Sequence, residues 1–186
     1  MLKPVRRHPP GGVLLAAALA VASLLPACRQ PDSVPLEPAE AAPSGSRVPS
    51  AVHVADADAT DQLKYGFHGL EQGSWRWTER RFGVAVGPPA GAAARGGTLT
   101  LRFSIPAAII DRFHQLTLTA SVGGVVLNPA TYNKPGEYVY AADVPASVLG
   151  GDLVNLEFTL DHALPPTDTD RRELGVIASS VSLDAK

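Results

Sequence analysis

From residue 98 onward the chain alternates between apolar and polar positions. Leu99, Leu101, Phe103 and Ile105 share one face of an extended segment, with Thr98, Thr100, Arg102 and Ser104 on the other. Leu116, Leu118, Ala120 and Val122 repeat the pattern, as do Tyr138, Tyr140, Ala142 and Val144, then Val154, Leu156, Phe158 and Leu160. Side chains of a strand point alternately to opposite faces, so a period of two predicts strands with one face in a core. Phe82, Val84 and Val86 make a further run, and Ile177, Val181 and Leu183 lie within another. Turn chemistry separates these segments. Gly123-Gly124 suits a tight hairpin between residues 116–122 and 125–127. Asn133-Lys134-Pro135-Gly136 predicts a turn ahead of the tyrosine strand, Gly87-Pro88-Pro89 an end to the Phe82 strand, and Gly150-Gly151-Asp152 a break before Leu153. Residues 107–113 allow one short helical turn. No strand–helix–strand spacing occurs, which argues against a parallel sheet. About seven to nine short strands with regular turns predict an all-β fold, an antiparallel, jelly-roll-like β-sandwich spanning residues 61–186.

The first 60 residues follow other rules. Lys3, Arg6 and Arg7 precede an apolar, alanine-rich run at residues 11–25. Fifteen residues are short for a membrane span, which needs about 20, and match the apolar region of an export signal. The run ends at Leu25-Pro26-Ala27-Cys28. A branched apolar residue, a small residue and then cysteine resembles the bacterial lipobox, although proline replaces the usual small residue at the middle position. The resemblance implies a signal peptide at residues 1–27, cleavage before Cys28, and a lipid on its sulfur and on the new amine. Cys28 is the only cysteine of the chain, so the sandwich is held without an internal disulfide. Arg29 rather than aspartate follows it. By the sorting rule of the lipoproteins it resembles, this favours the outer over the inner membrane of a bacterial cell envelope. Residues 28–60 are rich in Pro, Ala, Ser and Asp and lack aromatic residues. Such composition predicts a tether that does not pack and stands the domain off the lipid, with room for a short helix or an added edge strand near residues 51–54.

Charge narrows the partners. After loss of residues 1–27, 13 basic and 18 acidic side chains leave a net charge of −5. This opposes nucleic acid and electrostatic adhesion to anionic lipid, while the lipid on Cys28 would hold the membrane without such help.

Both tryptophans, Trp75 and Trp77, stand two apart in "GSWRWTERRF". In a strand they project on one face, with Arg76 and Thr78 on the other. A sandwich short of other large side chains needs their volume, so the pair is expected mainly in the core, with Arg76 and Thr78 in solvent. Residues 78–81 then read as a charged turn joining two aromatic-rich strands of a hairpin. The alternative is a platform on which a ligand stacks.

Residues 66–86, "GFHGLEQGSWRWTERRFGVAV", and 170–183, "DRRELGVIASSVSL", are similar to a β-sandwich module of bacterial envelope and glycan-related proteins, some fused to glycosyltransferases. That module carries Gly-aromatic-(Tyr/His)-x-x-Glu, Arg-Trp, alternating strands and a closing Asp-Arg-x-Leu-Gly-Val. The resemblance implies that its charged members work together, here Glu71, Arg76, Asp170, Arg171 and Arg172. They would form either an arginine–carboxylate fork between the first hairpin and the last strand or a polar ligand pocket. Gly175 marks a bulge or close backbone approach.

Catalytic patterns are missing. There is no G-x-S-x-G elbow, the lone cysteine is assigned to lipid, and five scattered histidines lack metal-ligand spacing. "DADATD" and "DTD" have oxygen spacing suited to calcium but no glycine turn or terminal glutamate. The expectation is therefore a non-catalytic, cofactor-free, metal-free, lipid-anchored envelope protein that binds glycan or polysaccharide, or supports a glycan-assembly system. The alternative is a structural lipoprotein that docks a partner protein through a sheet face or edge.

Overall fold

The computed structural model describes residues 47–186; residues 1–27 read as an export signal, Cys28 read as the lipidation site and residues 29–46 of the expected tether lie outside the described residues. Ten strands occur among the described residues: β1 (Ala51–His53), β2 (Leu63–Phe67), β3 (Arg76–Val86), β4 (Gly97–Ile105), β5 (Leu116–Val122), β6 (Val125–Val126), β7 (Ala130–Tyr132), β8 (Gly136–Val144), β9 (Val154–Leu160) and β10 (Ile177–Ala185). Two short helices, α1 (Ala92–Arg95) and α2 (Ala107–Phe113), and two 3-10 turns connect them. Every pairing between strands is antiparallel.

The strands form the two layers of a jelly-roll-like β-sandwich. One layer runs β8–β4–β10, with β1 on the far edge of β10. The other runs β2–β3–β9–β5, with β6 and β7 on β5. The alternating runs face inward as their period requires. Leu99, Leu101, Phe103, Ile105, Leu116, Leu118, Leu156, Phe158 and Leu160 are all buried between the layers. Phe82 stacks on Phe158 at 5.0 Å and meets Phe67 edge-on at 5.5 Å. Gly123 and Gly124 both take positive φ, +54° and +84°, as a two-residue hairpin between β5 and β6 demands.

Strand β3 joins the layers. Its first residues pair with β10, Trp77 opposite Ile177, and its last six pair with β9, Arg81 opposite Thr159 through Val86 opposite Val154. Thr78, fully buried, marks the crossing. Its N–H donates to Val176 O at 2.8 Å, its hydroxyl accepts from Val176 N at 3.1 Å, and its carbonyl accepts from Gly175 N at 2.6 Å. Gly175 is a close approach: a Cβ there would lie 2.7 Å from Glu79 O and 2.8 Å from Thr78 Oγ1.

Three features depart from the sequence reading. The domain begins before residue 61, with the added edge strand for which residues 51–54 left room. Val52, Val54 and Ala59 are buried, β1 pairs with β10, and Ser50 O accepts from Leu183 N at 2.8 Å. Strand pairing satisfies the backbone of residues 50–54, and two valines suffice to anchor so short a segment whatever its overall composition. Residues 78–81 are not a turn. The hairpin turns instead at Gln72 and Gly73, both at positive φ, where Glu71 N donates to Trp75 O at 2.9 Å, and β3 then continues to Val86, its register against β2 shifting between Thr78 and Gly83. Finally, the pairing of β10 with β4 shifts between Ala178 and Ser180. This bulge resets the alternation, so Ala178, Val181 and Leu183 are buried while Ile177 stands on the opposite face.

Candidate functional site

Pairing with β10 decides which way the tryptophans point. Arg76 stands opposite buried Ala178, and Trp77 stands opposite Ile177, which in turn stands opposite Ser104. Cross-strand partners share a face and residues two apart in a strand point the same way, so Trp77, and Trp75 two residues before it, belong to the outer face of the β8–β4–β10 layer. Both are half-buried, and neither is among the core side chains. The expectation of a core pair, with Arg76 and Thr78 in solvent, is thus reversed. The indoles meet edge-to-face, 6.3 Å apart at 75°.

Cross-strand pairing builds the surroundings of that pair. Trp77, Ile177, Ser104 and Glu137 form one row across β3, β10, β4 and β8. His53, Ser180, Arg102 and Val139 form the next, and Ala51, Ser182, Thr100 and Ala141 the one after. Over the first two rows lies an open trough of about 500 Å³, with Trp75 as its aromatic wall, Ile177 and Val139 as apolar lining and Arg102, Ser104, Glu137 and Ser179 as polar lining. Ser179 Oγ donates to the Arg102 backbone carbonyl at 3.1 Å. Among the described residues neither the Arg102 guanidinium nor the Glu137 carboxylate takes part in an ion pair. An aromatic wall and unpaired groups of both signs can stack a ring and hydrogen-bond its substituents.

The charged residues of the two motifs divide. Arg172 forms a fork with Asp170: Nε donates to Oδ1 at 3.0 Å and Nη2 to Oδ2 at 2.9 Å. Its Nη1 donates to Glu71 Oε1 at 2.7 Å. One guanidinium thus joins the 67–78 hairpin to the loop that leads into β10. His68 adds a second tie, its Nε2 lying 2.7 Å from Glu173 O. Arg76 is not part of the fork. Its Nε donates to Val54 O at 2.9 Å and its Nη1 to His68 O at 3.0 Å, which pins the segment after β1. Arg171 is exposed and makes no ion pair among the described residues. The sequence resemblance put all five charges together; the geometry assembles Glu71, Asp170 and Arg172 into a latch. Arg102 and Glu137, which the sequence reading did not select, line the trough. Only their outward place on alternating strands hinted at it.

The hydrogen bonds from the Arg172 side chain and backbone, with its charge, hold the Asp170 carboxyl down to about 2, against an ordinary 3.8. The same contacts, to Asp170 and then Glu71, raise Arg172. A carboxylate depressed in the folded state contributes stability above its unfolded pKa and loses it as pH falls through the folded one. The stability that the Asp170–Arg172 fork contributes is therefore fully present above about pH 4 and is lost as pH falls towards about 2. Urea midpoints between pH 5 and pH 2 should fall more steeply for the native chain than for Asp170→Asn. Parallel slopes would show that the fork adds nothing to stability.

No group of three or more His, Cys, Asp or Glu side chains is placed to hold a metal among the described residues. No helix among them is long and apolar enough to cross a membrane.

No protein-family model matches the chain, and no curated protein does so. Among solved structures, an acetyl xylan esterase from the rumen bacterium Butyrivibrio proteoclasticus is similar at 11% identity and a TM-score of 0.42. That match covers 75% of this chain and 33% of the esterase, so the chain spans about a third of that protein. The CBM36-1 domain of a multidomain xylanase from the hindgut metagenome of Trinervitermes trinervoides is similar at 12% identity and a TM-score of 0.35, over 67% of this chain and 95% of that domain. A CBM4 structure matches at 12% identity and a TM-score of 0.28, over 72% of this chain and 81% of that one. Likenesses this distant carry no argument about ligand or activity.

Proposed function

We propose that the protein is a lipid-anchored component of a bacterial cell envelope whose β-sandwich binds glycan without acting on it. The observation that carries the reading is the trough on the outer face of the β8–β4–β10 layer. Half-buried Trp75 lines the trough with an aromatic surface against which the C–H face of a sugar ring can pack. Arg102 supplies donors and Glu137 acceptors, and a hydroxyl is both, so a polyol satisfies the two charges together where a simple ion would meet a like charge. Ser104 and Ser179 extend that register. The open shape suits a length of chain better than an enclosed small molecule. The lipobox resemblance at Cys28 supports the anchor, with Arg29 favouring the outer membrane.

The test is affinity electrophoresis of the full chain in detergent through gels containing soluble neutral polysaccharide, alongside pull-down on peptidoglycan sacculi. Trp75→Ala should weaken retention about tenfold, the equivalent of roughly 1.4 kcal/mol, while the domain stays folded and its urea midpoint falls only by the modest amount expected for a half-buried outer side chain. Retention equal to that of the native chain would exclude the trough. In the same cells, Cys28→Ala should abolish labelling by radioactive palmitate. A mutant that is still labelled would overturn the anchor.

One observation favours a second reading, docking of a partner protein. Val139 is 53% exposed beside the trough on β8, whose outer edge pairs with no other strand among the described residues. Exposed strand edges invite pairing by another chain. In that case a charge at residue 139, as in Val139→Lys, would abolish partner capture while polysaccharide retention never appears.

A further inference from the structure

The other layer of the sandwich carries a second aromatic surface. Gly83 lies in the middle of β3, paired with Tyr65 of β2 on one side and Glu157 of β9 on the other. A glycine inside a strand leaves the pleat unfilled and often marks a place where another group comes close. Here that group is the phenol ring of Tyr65. A Cβ at residue 83 would stand 2.7 Å from Tyr65 Cε1 and 2.9 Å from Cζ. The ring thus lies across the strand, one side against Gly83, and is 43% exposed. Its hydroxyl donates to Glu157 Oε1 at 3.3 Å, and Ser121 Oγ donates to Oε2, also at 3.3 Å. Both contacts are long, so the carboxylate keeps most of its capacity to accept from a ligand. Partial burial, then the charge of Glu157, raises the Tyr65 hydroxyl above its ordinary value.

Covering a strand glycine with an aromatic ring stabilises a sheet by itself. That role accounts for the buried side of the ring but not for what surrounds the exposed side. Asn155 borders a shallow depression of about 190 Å³ next to Tyr65 and Glu157. Arg81 and Thr159 form the neighbouring cross-strand row. Donors and acceptors are thus mixed around one flat apolar surface. An apolar ligand would leave the Glu157 carboxylate and the Lys64 ammonium that lines the same depression desolvated, and an ion of either sign would meet a like charge, Glu157 on one side or Lys64 and Arg81 on the other. A neutral polyhydroxylated ring meets both demands.

The geometry points to a second saccharide-binding surface, in which a neutral sugar ring stacks on Tyr65 and hydrogen-bonds Glu157 and Asn155. It shares with the proposed function the premise that the ligand is a saccharide, but not the site. Tyr65 and Trp75 lie on the outer faces of different layers, and packed sheets stand about 10 Å apart. One domain would therefore hold two glycan chains at once and bridge them.

The experiment uses the full chain in detergent and two soluble probes, a neutral β-1,4-glucan and a neutral β-1,4-xylan, in affinity electrophoresis and turbidity assays. Trp75→Ala should keep a residual retention, and adding Tyr65→Ala should remove it. Glu157→Gln in the Trp75→Ala background should weaken that residue several-fold without a change of fold, which decides the matter if Tyr65→Ala destabilises the sheet. The native chain should cloud the polysaccharide, and each single variant should leave it clear. Complete loss of retention in Trp75→Ala alone, or a residual retention that Glu157→Gln does not alter, would overturn the second surface while leaving the trough. Full retention in Trp75→Ala that is abolished by Tyr65→Ala would overturn the trough and support the second surface. No retention of the native chain by either probe would overturn both.

Discussion

Phe82→Ala is expected to destabilise the domain by about 3–5 kcal/mol, as for large aromatic deletions in a close-packed core. Phe82 is fully buried, stacks on Phe158 at 5.0 Å and touches Phe67 edge-on at 5.5 Å. It therefore ties β2, β3 and β9 together, and its loss leaves a cavity lined by rigid strands that cannot collapse to fill it. Trp77→Ala removes a larger side chain but should cost only about 1–2 kcal/mol, because Trp77 is half-buried on an outer face and water replaces it. Urea denaturation of the two variants side by side is the check. If Trp77→Ala lowers the midpoint as far as Phe82→Ala does, the tryptophan belongs to the core and the outward parity of β3 is wrong.

A second large effect is expected at the crossing of the layers. Gly175→Val should destabilise by about 1–3 kcal/mol or more, the range for overpacked interiors. The added Cβ would meet Glu79 O at 2.7 Å, Leu160 Cδ1 at 2.7 Å and Thr78 Oγ1 at 2.8 Å. Leu160 can rotate away. Glu79 O is backbone within β3, and the Thr78 hydroxyl is engaged by Val176 N. Relief requires moving Gly175 off β3, which breaks its 2.6 Å hydrogen bond to Thr78 O. Gly150→Val is the control, since a Cβ there meets nothing within 4 Å and φ is not positive. Equal midpoints for the two variants would show that the crossing tolerates separation of β3 and β10.

Both expectations rest on β3, where reading the sequence and reading the structure part company. The alternation of residues 82–86 is legible because each apolar position has a polar or small neighbour, and the structure buries Phe82, Val84 and Val86 together. The four residues before it, Thr78 to Arg81, look like a turn because three of them are charged. They are strand because β3 leaves one sheet and enters the other there. Exposed side chains are tolerated where a strand turns the corner of a sandwich. The register slip at Ser179 is hidden for a similar reason. A bulge adds one residue to one strand only, and that residue becomes visible only when the partner strand β4 is set beside it.

The sequence alone determined the elements whose burial is local in cause. These are the inward faces of β4, β5, β8 and β9, the Gly123-Gly124 hairpin, the short α2 and the antiparallel sandwich they imply, since period-two alternation and turn residues act within a few positions. The motif resemblance, rather than any local pattern, grouped Glu71, Asp170 and Arg172 as charges that work together, although it could not separate them from Arg76 and Arg171. Tertiary structure decided the rest. It drew β1 out of a proline-rich tether, because backbone pairing with β10 and two buried valines outweigh composition. It turned Trp75 and Trp77 outward, because pairing with β10 sets Trp77 beside Ile177 on the outer face and Arg76 beside buried Ala178. It gathered Arg102, Glu137 and Trp75 around one trough, and Tyr65, Gly83 and Glu157 around another surface, because strands distant in the chain become neighbours only when the sheets pair.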